Sequence, residues 1–163
     1  MTVPGPDHDR IVDRILSMDE RLREISGGRT RLLPVTKAFG PEVVLAVLAA
    51  GHRSVGENYA QELLAKHEAL GDPSIEWHMI GNVQRNKVRR LVGPVAVWQT
   101  IDRPALVAEV ARRSPGGRIL VQVDCLGVPG RGGCPPGEVE ALVSAALASG
   151  LDVAGLMSVG APG

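Results

Sequence analysis

The sequence predicts an α/β protein built on a parallel sheet, and three observations lead there. Short apolar runs bounded by Gly, Pro, Asp or Asn alternate with helix-periodic segments, recurring at about 20–30 residues, the order of one βα unit. Hydrophobic residues fill 44% of the 163 positions and aromatic ones only 2%, so the core is expected from Val, Leu, Ile and Ala, as in helices layered on parallel strands. The length suits one domain, 1–163, with one buried core, and is short for two.

Six apolar runs read as buried strands: 32–36, 53–56, 76–80, 95–100, 119–123 and 153–158. Between them, 41–50, 59–70, 84–91, 104–113 and 136–148 carry helical patterns. Pro41, Pro104 and Pro136 stand in the first turns, where a missing N–H costs nothing, and Gly51 and Gly150 follow Ala50 and Ser149, suited to end a helix. A further amphipathic helix over 8–25 precedes the first strand, with Ile11, Ile15, Leu16, Leu22 and Ile25 as its buried stripe.

A regular βα alternation either closes into a barrel or stays open as a doubly wound sheet. The first strand-to-helix turn reads T-K-A-F-G-P and lacks the G-x-G-x-x-G fingerprint, which weakens the dinucleotide-binding open sheet. A (β/α)8 barrel needs eight strands in typically about 250 residues, so six units would form an incomplete one whose outer strands are open edges. The Gly/Pro-rich stretch 127–136 follows the fifth strand, on the face where a barrel builds its active site.

Eighteen basic and eighteen acidic side chains cancel, so the electrostatic footprint of a nucleic-acid or anionic-membrane binder is missing. No apolar run approaches the roughly 20 residues of a membrane span, and residues 1–10 are polar, with Pro4 and Pro6 where a signal peptide needs an apolar core. The expected compartment is the cytoplasm, and the expected partners are small molecules or proteins. Cys125 and Cys134 match no zinc spacing and are read as free thiols, and no metal site is expected.

Three clusters stand at predicted strand ends. Lys37 follows the run Leu33-Pro34-Val35-Thr36, which places it at the catalytic mouth of a barrel. A lysine alone is most often solvated surface, but an amine among apolar walls would have its charged form disfavoured, and the neutral amine attacks an aldehyde. Gly56-Glu57-Asn58-Tyr59, with Gln61 and Glu62, ends the second strand; Asn58 reads equally as a helix N-cap or as a ligand contact. Trp77-His78-Met79-Ile80-Gly81, with Gln84, Asn86 and Lys87, ends the third; a lone His beside a Trp is more often packed than catalytic. The basic run 85–90 is a solvated face.

Taken in order, V-T-K, A-G-H-R-S-V-G-E-N-Y-A-Q-E, E-W-H-M-I-G-N-V-Q-R-N-K, V-Q-V-D and G-L-M-S-V resemble the successive signatures of the YggS/PROSC family of pyridoxal 5′-phosphate (PLP) homeostasis proteins, over about residues 32–159. The resemblance implies the (β/α)8 TIM barrel of the alanine racemase N-terminal domain, with about six of its eight βα units present. It implies PLP as cofactor, held as a Schiff base on Lys37, with Asn58 close to it and His78 in a ligand-contacting block. It also implies a carrier that buffers PLP and hands it to PLP-dependent apo-enzymes without turnover, and therefore no catalytic residue.

The sequence departs from the family pattern in places. Thr36 stands for Ser, Gln122-Val123-Asp124 for Q-V-N, and Arg131-Gly132-Gly133 for a Lys-x-Gly, and an Arg cannot replace Lys as an amine. The family's phosphate-gripping units follow the G-L-M-S-V strand, whereas this sequence ends at Gly163, so PLP held by this chain is expected to be weakly retained. A PLP-dependent racemase shares the barrel but uses a tyrosine base from a second domain; Tyr59 is the single tyrosine here, which favours the carrier. A shortened polypeptide that binds nothing well is the third reading.

Overall fold

The computed structural model describes residues 6–128 and 132–161. Helix α1 (Pro6–Ser26) precedes α2 (Pro41–Ala49), β1 (Ser54–Glu57), α3 (Ala60–Leu70) and β2 (Glu76–Met79). A 3₁₀ turn (Arg85–Lys87) runs into α4 (Val88–Leu91), followed by β3 (Val95–Ile101), α5 (Pro104–Arg113) and β4 (Arg118–Gln122). A second 3₁₀ turn (Pro136–Glu138) leads into α6 (Val139–Ala148) and β5 (Asp152–Met157).

All five strands pair in parallel in the order β1-β2-β3-β4-β5. A doubly wound sheet reverses its strand order at a switch point, whereas a barrel adds each strand beside the last. The unbroken sequential order is that of the barrel. The first expected strand, 32–36, contributes a single bridge, Val35 to Gly56, with Gly56 N–H donating to Pro34 O (2.8 Å) and Thr36 N–H to Gly56 O (3.1 Å). Pro34 has no N–H to extend that ladder, which keeps the pairing this short.

Burial along the strands shows how the sheet is layered. In β2, Trp77 and Met79 are buried while His78 between them is half-buried, and β3 and β4 place Trp98, Thr100, Ile119 and Val121 in the buried set. One face of the sheet is thus covered by helices, including α3 over β1–β2 and α6 over β4–β5. The other face, with His78, Val97, Gln99 and Leu120, is only partly covered. One continuous core cluster runs from Ile15 to Leu151.

The core is not purely aliphatic. Both tryptophans, Trp77 and Trp98, are 1% exposed, and His67 of α3 meets the Trp77 ring edge-on at 84° with centroids 6.5 Å apart. A low aromatic count limits how many rings there are, not where they pack. The α1 stripe is also narrower than the periodicity suggests: Ile15 is buried, but Leu16 and Ile25 are 49% and 74% exposed. The helix lies outside the sheet, against α2, and His52 Nε2 after α2 meets Asp19 Oδ2 of α1 at 2.6 Å. Packing chiefly along one helix covers a narrow strip. The segment read as a helix over 84–91 is a 3₁₀ turn plus one α turn, with Val88 and Leu91 buried and Arg85, Arg89 and Arg90 exposed as a solvated face. Among the described residues, no helix is long and apolar enough to cross a membrane.

Candidate functional site

The site forms at the carboxyl edge of the sheet, around the turn that follows Val35. Thr36 is fully buried, and its hydroxyl donates to Glu57 Oε1 at 2.6 Å. Lys66 of α3 reaches the same oxygen at 2.5 Å and donates a second bond to the Thr36 carbonyl at 2.6 Å. Its ammonium also lies 3.8 Å from Glu62 Oε2, and that oxygen accepts the Ala38 N–H at 2.8 Å. Lys37 sits between these two anchored peptide groups and is exposed. Its exposure departs from the amine enclosed by apolar walls that the sequence reading considered. The chain leaves the sheet at once, with Ala38 in the left-handed region at φ 65°.

The buried cation of the cluster, Lys66, was not legible as such. Its sequence signal is the Glu62–Lys66 pair at i, i+4, normally read as a surface ion pair on a helix. Lys66 instead shares the buried face of α3 with Leu63. Glu57 and Glu62 stood in the second sequence cluster without an assigned part, and the structure makes both of them partners of Lys66.

Asn58 does not cap the following helix. The N-cap of α3 is Tyr59, with no side-chain cap bond, so the cap reading of Asn58 is overturned by one residue of chain. Its backbone has another part: a Cβ added at Gly81 would lie 1.8 Å from Asn58 O, and Gly81 O accepts the buried Thr100 hydroxyl at 2.7 Å. Three successive strand ends are locked together there. Asn58, Gln61, Asn82, Gln84 and Lys87 border a groove of about 350 Å³ beside this lock.

His78 lies on the partly covered face of β2. In register it pairs with Gly56, which bridges to Val35, so it sits two residues deeper than the level at which Lys37 and Asn58 leave the sheet. The structure brings Lys37 and Asn58 to one edge and sets His78 below them. The Gln99 Nε2 amide donates to His78 Nδ1 at 2.7 Å, which requires an unprotonated Nδ1. Burial pushes the imidazole below its ordinary 6.5, against a smaller opposing effect of the Glu76 carboxylate. Below the unfolded value the unfolded chain binds a proton that the folded one resists, so stability falls as pH drops through about 6.5. The expected result is that urea midpoints decline less in His78→Gln than in the parent between about pH 7.5 and 5.5, and equal declines would contradict the assignment.

The loop after β4 is held from within. The Asp124 Oδ1 oxygen accepts the N–H groups of Leu126 (3.1 Å) and Gly127 (2.9 Å), and Gln122 Nε2 donates to Gly132 O at 2.8 Å. Asp124, at the family's Asn position, thus serves its own turn. Arg131 lies outside the described residues. Cys125 is exposed, Cys134 is buried with its thiol pushed up by burial, and both are free. Among the described residues, no group of three or more His, Cys, Asp or Glu is placed to hold a metal ion.

Comparison with known proteins agrees with this architecture. The family described as alanine racemase, N-terminal domain, matches residues 9–162. The pyridoxal phosphate homeostasis protein of Aquifex aeolicus is 35% identical over 159 residues, covering 92% of this chain and 68% of that protein. The protein of the same name from Pseudomonas aeruginosa is 31% identical, covering 93% of this chain and 71% of its own length. Among solved structures, PipY of Synechococcus elongatus with PLP bound superposes with a TM-score of 0.77 at 26% identity, over 94% of this chain and 72% of PipY. A chain with this fold and these relatives belongs to the alanine racemase N-terminal-domain family and, within it, to the pyridoxal phosphate homeostasis proteins.

Proposed function

We propose that this chain binds pyridoxal 5′-phosphate through Lys37 and acts as a carrier in PLP homeostasis, without turnover, as one barrel domain in the cytoplasm. The observation that carries the reading is the exposed primary amine of Lys37 at the carboxyl edge of the sheet, between two anchored peptide groups. The donor set fits the cofactor: PLP, when bound, supplies an aldehyde that condenses with a primary amine with loss of water. Lys37 offers the amine, Asn58 a polar amide at the same edge, and His78 a neutral ring on the open face below. PipY, 26% identical, is known with PLP bound, and the relatives' names speak of homeostasis rather than catalysis. The two free thiols suit a reducing compartment. PLP-dependent apo-enzymes are the proposed recipients.

A carrier is favoured over a racemase because redelivering a proton to the opposite face needs a second group. The single tyrosine of the sequence, Tyr59, is exposed at the start of α3. The chain has three lysines, Lys37, Lys66 and Lys87, which makes the test simple. After incubation with PLP and borohydride reduction, peptide mass spectrometry is expected to find the pyridoxyl group on Lys37, and Lys37→Ala to lose it. Labelling of Lys87 in preference to Lys37 would refute the site. Deuterium wash-in at the α-carbon of added amino acids, dependent on Lys37, would replace the carrier by an enzyme.

A further inference from the structure

We propose that Glu62, backed by Lys66 and Glu57, is a positioning residue for Lys37, clamping the peptide groups on both of its sides so that its amine leaves the sheet in one direction. The inference rests on the reading of Lys37 as the cofactor amine. The direction of a side chain is set by the two peptide planes that flank its Cα. Here both planes are tied to α3: the Thr36 carbonyl accepts from Lys66 at 2.6 Å, and the Ala38 N–H donates to Glu62 at 2.8 Å. Glu62 and Lys66 stand one helical turn apart and 3.8 Å from each other, and Lys66 is held in turn by Glu57 at 2.5 Å. The clamp therefore spans α3 and β1 and contains no atom of the Lys37 side chain.

The conformation it holds is one the local sequence resists. Ala38 has φ 65°, a region an L-residue with a Cβ rarely adopts. The turn itself stays closed, with the Phe39 N–H donating to Thr36 O at 3.2 Å, but without the Glu62 bond the Ala38 N–H has no described partner, and the central peptide between Lys37 and Ala38 rotates toward commoner conformations. Thr36 and its peptide remain held by the buried part of the network. The loss is thus confined to the aim of Lys37, which separates a positioning effect from collapse of the fold.

Glu62 has a side chain 34% exposed, so its replacement spares the core. The experiment compares the full chain with Glu62→Ala and Glu62→Gln, the latter keeping an oxygen that can accept the Ala38 N–H. Each protein is reduced with borohydride in the presence of PLP, and the pyridoxyl ratio of Lys37 to Lys87 is read by peptide mass spectrometry. Each is separately trace-acetylated without PLP, and the same ratio is read. For Glu62→Ala the pyridoxyl ratio is expected to fall about tenfold, the equivalent of one charge-assisted hydrogen bond at its weaker end, while the acetyl ratio and the thermal midpoint stay close to the parent. Glu62→Gln is expected to restore most of the pyridoxyl ratio. A parental pyridoxyl ratio in Glu62→Ala, or an equal fall in both ratios, overturns the clamp. A parent that itself shows no preference for Lys37 overturns the reading of Lys37, and the clamp with it.

Discussion

Replacing Lys66 with Met will destabilise the fold by about 3–5 kcal/mol, the cost of leaving a buried charge without its partner. Glu57 is fully buried, and Lys66 is its one ion-pair partner among the described residues. The Thr36 hydroxyl bonds the same Oε1, while Oε2 has no hydrogen-bond partner among the described residues. Removing the ammonium leaves a fully buried carboxylate with one neutral donor, and leaves the Thr36 carbonyl with the weaker bond from the Phe39 N–H at 3.2 Å. The pair as a whole is worth far less than its breaking costs, because both charges were desolvated to form it. The double variant Lys66→Met with Glu57→Gln should therefore recover much of the loss. Urea unfolding of the two single variants and the double variant forms the cycle that measures this. A single Lys66→Met variant within about 1 kcal/mol of the parent would show that the network carries no such burden.

Gly81→Ala is expected to cost about 3 kcal/mol and to displace Asn58. The added methyl would stand 1.8 Å from Asn58 O, 2.6 Å from its carbonyl carbon and 2.9 Å from its Cα. All three atoms are backbone, so no rotamer change relieves the contact. One of two strand ends must move, either withdrawing Gly81 O from the Thr100 hydroxyl or pushing Asn58 from the edge it shares with Lys37. Gly93→Ala is the control, since an added Cβ there meets nothing within 4 Å, and it should fall within about 0.5 kcal/mol of the parent. Unfolding midpoints together with pyridoxyl labelling of Lys37 read both consequences. Equal stability of the two variants would show that the strand ends are not locked as described.

The candidate site was legible in part. The sequence put Lys37 at a strand end because an apolar run bounded by a turn reads as one, whereas in the structure that run pairs with β1 through a single bridge. The lysine below it could not be found in the same way. Lys66 lies in L-L-A-K-H-E-A, where a cation among apolar residues reads as a surface position beside a buried stripe. Its burial follows from α3 packing over β1, which brings it to Glu57, nine residues away, and to Thr36, thirty residues away. Asn58 shows the opposite limit: its type suits a cap, but the helix began one residue too late to use it.

By itself the sequence determined most of the elements and their order, the first strand and the helix over 84–91 excepted. Fixed proline φ, glycine at helix ends and the period of the apolar residues act over a few positions of chain, so the βα alternation, the N-terminal helix and the strand ends can all be read from local chemistry. The tertiary structure alone decided how those elements share space. Sequential strand order closed the choice between barrel and open sheet, and α1 buried a strip rather than its whole apolar stripe because it packs chiefly along α2. The same packing moved the tryptophans into the core and joined Thr36, Glu57, Glu62 and Lys66 into the support beneath Lys37. Contacts between residues distant in the chain depend on which surfaces meet, and local periodicity carries no record of that.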